Sequence, residues 1–293
     1  MSEQSTAPFI PPQADEQHDS DESICLYAIL PAGLLALMPL AGIDADRPVY
    51  ILESSHLQAV VSRVRAARFD LPALEAGLSN PDWLETHVRA HQQVLDSLVA
   101  TGQPVLPMRF CTLYRDEAAV QSILSAHAEP MRVELDRLGG KQEWGVKLFV
   151  HGKMLRATIL SPDGSSGDWA QNDEIMALQT KIDGLSAGAA FLFKKKLAAA
   201  VDERAEELAF SIALRSHERL SSCAAEAVTN ALYKGKDLPQ MFLNAAYLVV
   251  EAESAAFFES LGQMDQLYSA AGVRYEVSGP WPAYNFIQLQ LDD

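Results

Sequence analysis

Asn80-Pro81-Asp82-Trp83-Leu84-Glu85-Thr86-His87-Val88-Arg89-Ala90-His91-Gln92-Gln93-Val94-Leu95-Asp96-Ser97-Leu98 decides how the first half of this chain is read. The Asn80 side chain can accept from the free N–H groups of a first helical turn. Pro81 suits the first helical position, where an N–H would go unpaired anyway, and Asp82 puts negative charge at the positive end of the helix. Leu84, Val88, His91, Leu95 and Leu98 recur at alternating spacings of four and three. That places them on one side of a helix ending near Gly102.

Upstream the pattern changes to strands. Ile24 to Leu30 is an apolar run stopped by Pro31, and Val49 to Glu53 and Leu57 to Val64 flank the turn Ser54-Ser55-His56. Downstream, Val105 to Phe110 reads as a strand. A helix follows from about Asp116, with Val120, Ile123, Leu124, Met131, Leu135 and Leu138 on one face and a kink or break expected near Glu129, ahead of Pro130. Gly139-Gly140 ends it, and Trp144, Val146, Leu148 and Val150 alternate as another strand. Strands interleaved with helices predict an α+β layer with helices on one face of a sheet.

Ser161 to Gly167, rich in Ser, Gly, Pro and Asp, is the clearest internal linker. Beyond it a long helix is expected from about Ser186 to Asn230, with Leu197, Val201, Leu208 and Ile212 at helical spacing. A strand over Met241 to Val250, a helix over Ala255 to Ala271 and a strand over Val273 to Val277 come next. A last short strand is expected where Ile287, Leu289 and Leu291 alternate with glutamines. The reading is therefore α+β with an acidic, disordered tail over 1–23, an N-terminal domain over 24–160 and a C-terminal domain, a long helix plus a smaller α+β unit, over 168–293.

At 293 residues and 48% hydrophobic composition the chain has enough apolar mass for substantial cores. A net charge of −16 opposes nucleic acid as a partner, because phosphates need counter-charge. Cys25, Cys111 and Cys223 are odd in number and far apart, which indicates neither a disulfide framework nor a zinc cluster and fits a reducing cytoplasm. The uncharged run from Ile24 to Ile43 is nominally long enough for a bilayer, but Pro31, Gly33, Pro39 and Gly42 break it and the tail before it is acidic.

Candidate chemistry is sparse. His87 and His91 lie four apart on a helix, yet no third metal ligand is evident, so a packed histidine pair is the preferred reading. Cys111 beside Arg109 could be a low-pKa thiolate, although without a histidine partner a small buried residue is preferred. Arg109, set between apolar residues, must find a partner or line a cleft, and an internal carboxylate such as Glu143 is favoured over a partner protein. Lys194-Lys195-Lys196 reads as a solvated helix start, and no glycine-rich phosphate loop occurs. In Gly279-Pro280-Trp281-Pro282-Ala283-Tyr284-Asn285-Phe286 the prolines exclude helix and make a stiff arm. Trp281, Tyr284 and Phe286 on that arm either pack it onto its own domain, the slightly preferred reading, or serve with Arg109 as the candidate partner-interface residues.

Four blocks carry a resemblance: Leu106 to Tyr114, Glu143-Trp144-Gly145-Val146-Lys147, Gly188-Ala189-Ala190-Phe191-Leu192-Phe193-Lys194-Lys195-Lys196, and Gly279 to Phe286. In content and order they are similar to the motifs of the gas vesicle L/F family, over roughly Ile24 to Phe286. Cys111 stands where that family usually has Gly, so no positive φ is expected there. Ala283 replaces the usual second proline. The resemblance implies a modified ferredoxin-like N-terminal domain. It also implies an accessory or minor structural protein of gas vesicles, the gas-filled, protein-walled buoyancy organelles of prokaryotes, located in the cytoplasm with them. Such a protein would bind the small hydrophobic shell protein and other accessory proteins during assembly. Neither an enzyme nor a cofactor, metal, nucleic acid or lipid membrane is expected. The alternative is a ferredoxin-like small-molecule sensor or metal-dependent enzyme.

Overall fold

The computed structural model describes residues 21–33, 40–160, 168–233 and 239–289. The tail expected to be disordered falls mostly outside them, as does the Ser161 to Gly167 linker. Two compact units form, one from residues 1–140 with 282–293 and the other from 141–281.

In the first unit, β1 (Glu22–Pro31), β2 (Val49–Ser54) and β3 (Leu57–Arg65) are followed by α1 (Ala66–Phe69), α2 (Leu71–Leu78) and α3 (Pro81–Val99). Next come β4 (Leu106–Pro107), β5 (Leu113–Tyr114), α4 (Glu117–Ala126) and α5 (Ala128–Leu138). The sheet order is β2-β3-β1-β4 with β5 also on β1, all antiparallel. β1 is central, so its uncharged run is a buried strand: Ile24 to Leu30 are all buried. Among the described residues no helix is long and apolar enough to cross a membrane.

The Asn80 carboxamide caps α3 as its sequence predicts, accepting from Asp82 N at 3.1 Å and Trp83 N at 3.4 Å. The buried stripe differs from the expected one. His87, His91, Val94, Leu95 and Leu98 are buried, whereas Val88 is 40% exposed. His91 holds the place its spacing gave it, but Trp83 and His87 fill the N-terminal part of the stripe in place of Leu84 and Val88, and their polar atoms hid this from an apolar-only pattern. Leu95 and Leu98 are fully buried beside Tyr27 and Val60, each such leucine contributing about 1.5–3 kcal/mol. The break expected near Glu129 falls at His127 (φ −115°), between α4 and α5. Pro130 is then the third residue of α5, where its missing N–H has no intrahelical partner to lose.

The second unit holds β6 (Lys141–Val150), α6 (Gly152–Leu160), α7 (Asp173–Asp183), α8 (Ala187–Ser221), β7 (Glu226–Thr229), β8 (Gln240–Val250), α9 (Ser254–Tyr268) and β9 (Val273–Trp281). Its antiparallel sheet runs β7-β8-β6-β9. β6 and α6, expected in a domain ending at 160, lie here because β6 is an inner strand of this sheet, hydrogen-bonded to β8 and β9. Val201, Leu208 and Ile212 of α8 and Phe257 and Leu261 of α9 share one core with Val146, Leu148 and Tyr247 of the sheet.

Three further differences have local causes. α8 stops at Ser221 instead of near Asn230, and residues 226–229 add an edge strand to β8. α7 was not expected, although Asn172 caps it by accepting from Ile175 N at 3.1 Å, ahead of an acidic first turn. Of the last expected strand, residues 287–289 are irregular after a 3-10 turn over 284–286, and Gln290 and Leu291 lie outside the described residues.

Candidate functional site

The Val105 to Phe110 stretch is not one strand. β4 and β5 both pair with β1, and the chain between them swings out as a turn. Met108 N donates to Tyr27 O at 2.8 Å and Leu26 N donates to Thr112 O at 2.9 Å, so both ends of the turn are stitched to β1. Within it, Thr112 N and Thr112 Oγ1 both donate to Arg109 O, at 3.2 and 2.8 Å. Closing the turn so tightly puts Cys111 at φ 60°, contrary to the expectation that cysteine here meant no positive φ. A left-handed non-glycine residue costs about 1–2 kcal/mol, which the stitching to β1 must offset. Burial pushes the Cys111 thiol up to about 12, and the side chain packs against the first unit's core, which favours a packed residue over a low-pKa thiolate.

The C-terminal segment returns to this turn. Tyr284 N donates to Pro282 O at 2.7 Å and Phe286 N to Ala283 O at 3.1 Å, which folds residues 282–286 into a compact knuckle. Its phenol donates to Met108 O at 2.9 Å. His91 Nε2 lies 3.2 Å from Met108 O and 3.3 Å from the Tyr284 hydroxyl. Met108 O only accepts, so Nε2 carries the imidazole proton. Burial pushes His91 down to about 4, against the opposing pull of the Met108 carbonyl, and the ring is neutral. Its Nδ1 has no hydrogen-bond partner among the described residues.

Beyond the knuckle a second pair of anchors holds the chain. Glu134 and Arg137 on α5 form a two-pronged pair, Nε to Oε2 at 2.9 Å and Nη2 to Oε1 at 2.8 Å. Arg137 Nη2 also donates to Phe286 O, and Gln288 N donates to Glu134 Oε1 at 2.7 Å. Phe286 itself is buried. Glu134 and Arg137 were not picked out from sequence. Their spacing marks only an ordinary helix-surface pair, and their partners lie about 150 residues away.

Of the four candidate interface residues, Arg109 and Tyr284 meet at Met108, Arg109 as its chain neighbour and Tyr284 through the hydrogen bond. Arg109 is exposed and has no ion-pair partner among the described residues. Glu143, the carboxylate suggested for it by the sequence, belongs to the second unit, buried on β6 in register with Leu248 and Trp281. Tyr284 keeps 37% of its surface in solvent. Phe286 is an anchor and not a contact surface. Trp281, 38% exposed, ends β9 in the second unit, its Nε1 donating to Ser278 Oγ at 3.0 Å. The Gly279 to Phe286 arm is thus divided after Trp281, its first part a strand end. There Gly279 holds φ 124°, and a Cβ on it would sit 2.8 Å from Glu143 O, so no other residue fits.

His87 and His91 do not act together. His87 stacks on Trp83 with centroids 4.0 Å apart and its Nδ1 is 2.7 Å from Trp83 O, whereas His91 turns to Tyr27 and Phe110. Among the described residues no three His, Cys, Asp or Glu side chains gather as metal ligands.

Residues 23–288 match the profile of a family described as "Gas vesicle synthesis protein GvpL/GvpF". The chain is 31% identical over 258 residues to gas vesicle protein L of Streptomyces sp. (strain CB03234), covering 86% of this chain and 87% of that protein. It is 22% identical over 274 residues to gas vesicle protein F2 of Halobacterium salinarum, covering 93% and 95%. Crystal structures of GvpF from Anabaena sp. PCC7120 and Microcystis aeruginosa share the fold, with TM-scores of 0.62 and 0.61 at 18% identity. They cover 92% and 91% of this chain, and it covers 97% and 99% of theirs.

Proposed function

The chain belongs to the GvpL/GvpF family of gas vesicle proteins, and from that premise we propose that it is an accessory or minor structural protein of the vesicle. In this reading it binds the small shell protein and other accessory proteins during assembly, in the cytoplasm, and catalyses no reaction. The family match across residues 23–288 carries the reading. Physical chemistry supports it. A small shell protein with an apolar face would aggregate unless a soluble carrier covered it, and a net charge of −16 keeps such a carrier from clumping nonspecifically.

The contact surface we assign is the Met108 turn with the knuckle docked on it. Arg109 offers a guanidinium with no ion-pair partner among the described residues and Tyr284 a ring that is 37% exposed, the residue types enriched at interface hot spots. Trp281 is a further exposed anchor, on the second unit.

Two experiments test this. A deletion strain examined by electron microscopy should lack vesicles or carry misshapen ones, and normal vesicles in normal numbers would overturn the role. Purified full-length protein should retain shell protein in a pull-down, and Arg109→Glu should cut that capture about tenfold, or about 1.4 kcal/mol. Unchanged capture by the variant would remove the Met108 turn from the interface while leaving the role itself in place.

A further inference from the structure

The solvent face of α8 carries a pattern that matches its own reverse. Leu192, Lys196, Ala199, Glu203, Glu206 and Phe210 follow at alternating intervals of four and three, the spacing of a helix–helix seam, and all six are exposed. Leu192 is 69% and Phe210 53% exposed, the two apolar ends of a stripe whose middle is charged. Neither Lys195, Lys196, Glu203 nor Glu206 has an ion-pair partner among the described residues; the nearby Asp202 and Glu207 are taken by Arg156 and Arg204.

An antiparallel copy of the same helix, related by a two-fold axis at residue 201, gives each of the six seam positions a facing partner, with Lys195 flanking the seam beside Lys196. Residue i then faces residue 402 − i. Leu192 of one copy meets Phe210 of the other, Lys196 meets Glu206, and the small Ala199 admits Glu203, which also comes within reach of the opposing Lys196. Each contact occurs twice, as an isologous interface requires. From Leu192 to Phe210 the seam spans roughly 27 Å of helix. We propose that α8 is a self-association surface on which a second copy of this chain docks antiparallel, with Lys195 and Lys196 of each copy on Glu203 and Glu206 of the other.

The net charge of each copy opposes approach, but that repulsion is long-range and falls off beyond about 8 Å at physiological ionic strength. The seam contacts are shorter than this and partly desolvated by Leu192 and Phe210, so they are screened less. The surface is independent of the proposed role in vesicle assembly and does not use the Met108 turn.

Light scattering on the full-length chain over a dilution series tests the proposal. A reversible dimer is expected, together with two charge-reversed variants, Lys195→Glu/Lys196→Glu and Glu203→Lys/Glu206→Lys, that each dimerise at least about tenfold more weakly while keeping the wild-type melting temperature. In an equimolar mixture the two variants should form a mixed dimer, because each now carries the complement of the other. A wild-type chain that stays monomeric to about 1 mM overturns the proposal and leaves the face to a different partner. A dimer that survives in both variants, or variants that fail to pair when mixed, overturns it equally.

Discussion

The phenol of Tyr284 donates a 2.9 Å hydrogen bond to the backbone carbonyl of Met108, 176 positions earlier in the chain, and thereby closes the C-terminal knuckle onto the turn that presents Arg109. Tyr284→Phe should cost about 1 kcal/mol, the net worth of one hydrogen bond, and no more, because His91 Nε2 still donates to the same carbonyl. Denaturant unfolding measures it; a loss above about 3 kcal/mol would mean that the ring's packing, not its hydroxyl, holds the knuckle.

His91 gives the fold a pH dependence of definite sign. Its folded-state pKa, about 4, lies below the 6.5 of a free imidazole, chiefly because burial disfavours the cation. The neutral form is the one the fold accepts, so the stability is fully present above about pH 6.5 and is lost as pH falls towards 4. The loss should be on the order of 3 kcal/mol. Melting curves from pH 7 to pH 4 should show it, and His91→Leu should flatten that part of the profile.

Glu134 acts at lower pH. Burial alone would raise its pKa, but the bonds from Arg137 and Gln288 N outweigh this and hold the carboxyl below its usual range. Stability from the ionised form is present above the unfolded value of about 4.3 and is lost as pH falls below it. At about pH 3 a carboxypeptidase active in acid should trim the C-terminus faster than at pH 6, and Glu134→Gln should be trimmed readily at both.

Cys111 offers a test of backbone strain. At φ 60° a β-branched side chain is worse placed than a cysteine and glycine is better placed, so Cys111→Val should destabilise by about 2 kcal/mol or more while Cys111→Gly stays within about 1 kcal/mol of wild type. Equal losses in the two variants would show that contact of the thiol with the core, not backbone conformation, governs the position.

Trp281→Ala separates packing from binding. A fully buried tryptophan costs about 3–5 kcal/mol on truncation. With 38% of Trp281 exposed, the cost should stay below about 2 kcal/mol, while shell-protein capture per folded molecule falls about tenfold. Unchanged capture would confine Trp281 to closing the end of β9.

The sequence by itself determined the local pieces whose causes are local. The Asn80 cap, the buried run of β1, the hairpin across Ser54 to His56 and the apolar spacing of α8 each follow from neighbouring side chains and backbone preference. So did the kinship, because four short blocks in fixed order are written in one dimension. Tertiary structure decided what depends on partners far along the chain. β6 joins the second unit because its hydrogen bonds go to β8 and β9, and no pattern within Lys141 to Val150 names those partners. Cys111 is forced to a positive φ by the stitching of Met108 and Thr112 to β1, which outweighs the residue's own preference. His87 and His91, read as a pair four apart, face different neighbours once Trp83, Tyr27 and Phe110 are in place. Arg109 and Tyr284 stand as two unrelated candidates in the sequence. They become one surface because the chain, after leaving the first unit at Gly140, returns to it at Pro282, and only the folded backbone brings those two ends together.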